Sequence, residues 1–171
     1  MKNILALSFL LLALSFLGCG YKPSTEYTTP ILGKTIDTKV EIDIKNPEDA
    51  IFLKDALNEA VLAVFNSKVE KNGDSKIELK ILSTHLSALD YDKNGYPILY
   101  RASVSIKAYV TDVKNNLNSY TGSGSYDFSI SSDSVLSDNL KHNAIKEAFL
   151  KALQVIEFKI AQRGMDDNKG Y

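Results

Sequence analysis

From Ile98 to Asp112 the chain alternates almost without a break. Tyr100, Ala102, Val104, Ile106, Ala108 and Val110 fall on one side, and Leu99, Arg101, Ser103, Ser105, Lys107 and Tyr109 on the other. A period of two held this long means a strand spanning roughly 40 Å with one face buried. Any fold available to this chain must therefore cover the apolar side of a long sheet.

The flanking segments supply the partners. Ser75 to Leu82 alternates through Ile77, Leu79 and Ile81, and the extended pattern runs on toward Tyr91. Asp92-Lys93-Asn94-Gly95 then predicts a hairpin, because Asn-Gly tolerates the positive φ angles of a tight reversal. Lys114-Asn115-Asn116-Leu117-Asn118 marks a second turn. It leads into a strand from Ser119 to Ile130, with Tyr120, Tyr126, Phe128 and Ile130 on one side. Gly122 and Gly124 within it predict a bulge or bend. A further strand, Thr38 to Ile44, places Val40, Ile42 and Ile44 together.

Two segments carry helical spacing instead. Asn46-Pro47-Glu48-Asp49 is a helix start, with a capping side chain, proline in the first turn and acids at the positive end of the dipole. Leu53, Leu57, Ala60, Val61 and Val64 follow on one face, and Lys71-Asn72-Gly73-Asp74 turns the chain. The last helix is expected from about Asp138 to Ala161, burying Ile145, Ala148, Phe149, Ala152, Ile156 and Ile160. The resulting order is β-α-β-β-β-α. It gives an α+β fold, with two amphipathic helices packed on one face of a four-stranded, mostly antiparallel sheet. The opposite face, polar and tyrosine-bearing, is left open. The nine tyrosines serve either as core-edge residues with wet hydroxyls or as a contact surface.

The N-terminus reads as an address. Met1-Lys2-Asn3 precedes an apolar run from Ile4 to Leu17, shorter than the ~20 residues a membrane span needs and suited to a secretory leader. It ends in Phe16-Leu17-Gly18-Cys19, which resembles the lipobox of bacterial lipoproteins. That resemblance implies cleavage after Gly18 and lipidation of Cys19, and Gly20 after it favours the outer membrane. The alternative is an ordinary exported protein with an incidental cysteine. The expected organisation is a leader over residues 1–18, a lipidated cysteine and tether over 19–37, one sandwich domain over 38–162, and a flexible tail over 163–171.

Several function classes find no support. With 20 Lys and Arg against 21 Asp and Glu, the chain lacks the basic excess that coats nucleic acid. One cysteine excludes an internal disulfide and a multi-cysteine zinc site. His85 and His142 stand alone, without neighbours at ligand or triad spacing. Asp90, Asp92 and Asp112 sit at turns, where carboxylates are normally solvated turn formers. Gly122-Ser123-Gly124 lacks the lysine and following helix of a phosphate loop. No catalytic residue, cofactor or metal is expected.

Cys19-Gly20-Tyr21, the order of elements, and the run from Lys93-Asn94-Gly95-Tyr96-Pro97 through Arg101-Ala102 to Val110 together resemble the LptE family of lipopolysaccharide-assembly lipoproteins. The resemblance implies a two-helix, four-stranded sandwich, lipid-anchored to the periplasm-facing side of the outer membrane. There it would plug a large LptD-like β-barrel partner, in a 1:1 complex, and assist delivery of lipopolysaccharide. It also implies a lipopolysaccharide contact at the basic residue before the Asn-Gly turn, here Lys93. Arg101, on the polar face of the following strand, is a second candidate from geometry. A different class of function, a tethered regulator of a cell-wall synthase, would need a reach that a lead-in of about 60 Å at full stretch provides poorly.

Overall fold

The computed structural model describes residues 25–41, 47–131 and 134–168. In order they form α1 (Thr25–Leu32), β1 (Thr35–Glu41), α2 (Pro47–Phe65), β2 (Lys68–Val69), β3 (Ser75–Tyr91), β4 (Pro97–Thr111), β5 (Leu117–Ser129) and α3 (Asp138–Asn168). The sheet runs β2-β1-β3-β4-β5. Among the described residues there are thus five strands and three helices, where the sequence predicts four and two.

The long alternating strand is the centre of the architecture. Ala102, Val104, Ile106, Ala108 and Val110 are all buried, and β4 pairs antiparallel with β3 on one side and β5 on the other. β3 carries a bulge between Ile81 and Ser83. An extra residue there shifts the period by one. Ile77 and Leu79 face the core before it, Leu86 packs inward after it, and Leu82 is left half exposed. β1 joins β3 in parallel, Ile36 opposite Ser75 and Val40 opposite Leu79, through the α2 crossover that parallel pairing requires. The strand starts earlier than its alternation suggests, at Thr35. Val40 packs partly against the core, whereas Ile42 and Ile44 lie outside the described residues.

Among the described residues, all the buried apolar side chains except Ala161 form one cluster between the sheet and the helices. Leu57, Ala60, Val61 and Phe65 come from α2, and Ile145, Ala148, Phe149, Ala152, Ile156 and Ile160 from α3. A salt bridge at 2.6 Å from Lys146 to Glu59 ties these two helices at the surface. Gly122 and Gly124 do not mark a bulge, since β4 and β5 pair in continuous register from Leu99–Ser129 to Thr111–Leu117. They lie directly under α3. A Cβ at Gly122 would fall on the carbonyl oxygen of Ala152, and one at Gly124 on that of Ala148. Helix backbone thus rests on strand backbone.

Both chain ends depart from expectation, for one shared reason. The segment read as tether contains α1, whose Thr28, Ile31 and Leu32 are buried. Gly33, at φ 75°, ends that helix with a hydrogen bond from its N–H to the Thr29 carbonyl. Val113 N–H donates to Ile31 O at 3.0 Å, fixing α1 to the β4–β5 loop. α3 continues to Asn168, through the segment read as a flexible tail, because α1 packs against its last turns. Gly164 sits under the carbonyl of Tyr27, where a side chain would clash. The third addition, β2, follows α2 where only a turn was expected. It pairs Thr35 with Lys68 and Ile36 with Val69.

Candidate functional site

The helices cover one face of the sheet and leave the other bare. Across β3, β4 and β5 the bare face is laid out in rows: Ser83, Ser105 and Ser123; then His85, Ser103 and Ser125; then Ser87, Arg101 and Asp127. Ser123 donates its hydroxyl to Ser105 Oγ at 3.1 Å. Five of these serines line a shallow depression of about 300 Å³. Side chains this small make a flat hydroxyl platform, able to meet another surface through hydrogen bonds. Toward β1 the face becomes charged, with Lys39 and Lys76 both pairing to Glu78.

The β3–β4 loop ends the hairpin. Asp92 Oδ1 accepts from the N–H groups of Asn94 and Tyr96 at 2.9 and 2.8 Å, and Gly95 takes φ 85°. Asn94 is not among the positive-φ residues. The reversal is therefore a type I turn closed by a left-handed glycine, instead of the doubly positive Asn-Gly turn the sequence predicts. Lys93 stands exposed in this loop, flanked by Tyr91 and Tyr96 at 55% and 63% exposure. Tyr100, by contrast, stacks on Phe128 at 5.6 Å, and Tyr120 and Tyr126 pack at the core margin. Tyr100, Tyr120 and Tyr126 thus lie at the core edge, while Tyr91 and Tyr96 are exposed.

Arg101 is engaged. Its Nε and Nη2 donate to the two carboxylate oxygens of Asp127 at 2.6 and 2.7 Å, a bidentate fork. The pair holds the guanidinium above its ordinary range and the Asp127 carboxyl below its own. To grip a phosphate, Arg101 would have to release Asp127. Lys93, at the loop, and Arg101, four positions beyond Pro97 on β4, share one end of the sheet. Cys19 lies outside the described residues.

A second polar site was not legible in the sequence. Around the β4–β5 loop, Asp112, Lys114 and Asn116 line a cleft of about 540 Å³ together with Glu26 and Tyr27 of α1 and Arg163 and Asp167 of α3. Asp112 is 5% exposed. Burial pushes its carboxyl up, but hydrogen bonds from Asn116 and Lys114 and the charge of Arg163 outweigh that and hold it below the ordinary value. Arg163 Nη2 lies 3.4 Å from Asp112 Oδ2. Only the docking of α1 brings these residues together, so no local motif could announce them. Among the described residues, no group of three or more His, Cys, Asp or Glu could hold a metal. None of the described helices is long and apolar enough to cross a membrane.

The fold therefore defines a two-layer α+β sandwich with an open, hydroxyl-rich sheet face. No protein-family model matches the chain, and no curated protein matches it in sequence. Among solved structures it shares its fold with a protein from Caulobacter crescentus CB15, provisionally described as a lipoprotein. The TM-score is 0.52 at 11% identity, over 84% of this chain and 96% of that one. Looser likenesses are to a minor lipoprotein from Acinetobacter baumannii (TM-score 0.45, 12% identity, 78% and 95% covered) and to rare lipoprotein B from Shewanella oneidensis (TM-score 0.39, 13% identity, 79% and 96% covered).

Proposed function

We infer that this chain is an outer-membrane lipoprotein, anchored through Cys19, that partners and plugs a large LptD-like β-barrel and assists lipopolysaccharide assembly. It acts by surface complementarity and carries no catalytic set. The observation that carries this reading is the docked α1. With residues from Thr25 onward held to the body, the chain between Cys19 and the domain reaches no more than about 20 Å. A domain on so short a leash works on something in the same membrane. That disfavours the cell-wall-synthase regulator, which must touch an enzyme on the far side of the periplasm. A large barrel has a wet lumen, and a flat hydroxyl face is suited to such a wall. Lys93, exposed at the loop with its ammonium available, is the residue assigned to lipopolysaccharide phosphate. Arg101 is the weaker candidate because Asp127 already fills its fork.

Affinity purification of the full chain from detergent-solubilised outer membranes tests the reading. One large barrel protein should dominate the eluate, and Cys19→Ala should remove the chain from that membrane. Lys93→Glu should weaken lipopolysaccharide binding while leaving the melting temperature within a few degrees. Recovery of a peptidoglycan synthase instead would overturn it.

A further inference from the structure

The free edge of β5 carries features that neither the bare sheet face nor the lipid anchor accounts for. β5 is the last strand of the sheet, so every second residue turns its backbone N–H and C=O away from β4. Two of those carbonyls are engaged by lysines reaching around from α3. Lys151 Nζ donates to Ser125 O at 2.9 Å and Lys159 Nζ to Thr121 O at 2.6 Å. Ser123, between them by the two-residue period, presents its backbone pair to solvent.

Beside this edge, α3 provides a shelf. A groove of about 540 Å³ is lined by Ser123, Gly124 and Ser125 on the strand and Lys151, Gln154, Val155 and Phe158 on the helix. Val155 and Phe158 remain 38% and 55% exposed. The two glycines that let α3 lie against β5 set this shelf close beside the strand edge. The spacings agree as well. Thr121 and Ser125 stand about 13 Å apart along the strand, and Lys151 and Lys159 about 12 Å apart along the helix.

We propose that the β5 edge is an acceptor for an extended acidic-apolar segment of a partner protein, which adds a sixth strand to the sheet. Its backbone pairs with Thr121, Ser123 and Ser125. An apolar side chain on its inner face rests on Val155 and Phe158. Acidic side chains two positions to either side of it draw Lys151 and Lys159 off the carbonyls, which then accept from the incoming backbone. Charge decides the occupant. A second copy paired about Ser123 would set Lys151 of each chain beside Lys159 of the other, with no acid among the groove-lining residues. An acidic strand meets the same lysines with opposite sign. The proposal stands apart from the lipopolysaccharide reading, because it requires only the edge, the shelf and the two cations.

Fluorescence anisotropy with the full chain tests it. The probe is a labelled threonine-rich nine-residue peptide with a central valine and glutamates two residues to either side. Saturable binding is expected, weakened roughly tenfold when Lys151→Glu and Lys159→Glu are combined. A peptide with lysines in place of the glutamates should then bind that double variant better than it binds the unmodified chain. Ser123→Pro, which removes an outward N–H and leaves the β4 ladder its donors, should also weaken binding; circular dichroism checks that this variant folds. Three results would overturn the proposal. The first two are binding of the peptides regardless of charge pattern and no binding at all, either of which leaves the lysines only sealing the edge. Alternatively, sedimentation could find a dimer that the double lysine variant disrupts, assigning the edge to a second copy.

Discussion

Asp92 and Asp112 hold two loops of the same construction at opposite ends of β4. Each carboxylate accepts from the N–H groups two and four residues on: Asn94 and Tyr96 for Asp92, Lys114 and Asn116 for Asp112. Each loop closes with a left-handed residue, Gly95 at φ 85° in one and Asn115 at φ 63° in the other. The difference lies in their surroundings. Asp112 itself is buried, beside α1 and Arg163, whereas Asp92 is only half-buried in a loop that projects into solvent.

That equivalence predicts the outcome of exchanging the left-handed residues. Asn115→Gly should stabilise by a few tenths to about 1 kcal/mol, by relieving a conformation that glycine adopts freely. Gly95→Asn should cost little and Gly95→Ala about 1 kcal/mol. Chemical denaturation of the three variants measures this. Equal effects of Asn and Ala at position 95 would contradict the loop assignment.

The hydrogen bonds that Asp112 accepts make stability depend on acid. Asp112 is held below its ordinary pKa in the folded chain and returns to about 3.9 when unfolded. Its contribution is therefore complete above about pH 5 and is lost as the pH falls further, when the unfolded chain binds the proton more readily. Asp74, held down mainly by the backbone N–H groups of Lys34 and Thr35, acts in the same direction. Melting temperature should drop below about pH 4, and Asp112→Asn should flatten that limb while lowering stability at neutral pH by about 2 kcal/mol. An unchanged acid limb in that variant would remove Asp112 as its source.

The contact of α3 on β5 gives the sharpest steric test. Gly122→Ala or Gly124→Ala places a methyl group on a helix carbonyl, and separating the two backbones should cost about 2–4 kcal/mol. Gly95→Ala serves as the control, since nothing lies near that position. Thermal melts showing similar losses at all three sites would refute close backbone packing.

Alternation along β4 is tested by adjacent substitutions. Ile106 is fully buried, so Ile106→Asp should cost about 4 kcal/mol or prevent folding. Lys107 lies on the bare face with its ammonium 5.0 Å from the Tyr109 ring centroid, and Lys107→Asp should cost less than about 1 kcal/mol. Comparable losses in denaturation curves would mean the strand is out of register.

What could be read in the chain was what local periodicity encodes. The faces of β4 and α3, the helix beginning at Pro47 and the position of both β-hairpins all follow from spacing within one segment. What could not be read depended on segments far apart in sequence. α1 is short and holds Pro30, so it shows no helical period; its burial comes from docking on α3. The polar residues after Arg163 resemble a tail until α1 is placed beside them. Gly122 and Gly124 resemble flexibility until a helix is laid over them. For the candidate site, the exposed position of Lys93 was legible. The engagement of Arg101 by Asp127 was not, because it depends on strand register across the β4–β5 hairpin.

The placement of α3 has a consequence for how the molecule is made. The helix that completes the core follows every strand in the chain, and it closes over strands laid down well before it. Until α3 is made, α2 alone can shelter the apolar side of the sheet, and β4 and β5 lack the helix that packs on them. A nascent chain of this design completes its core only once α3 has emerged, so the last step of its folding waits on that helix.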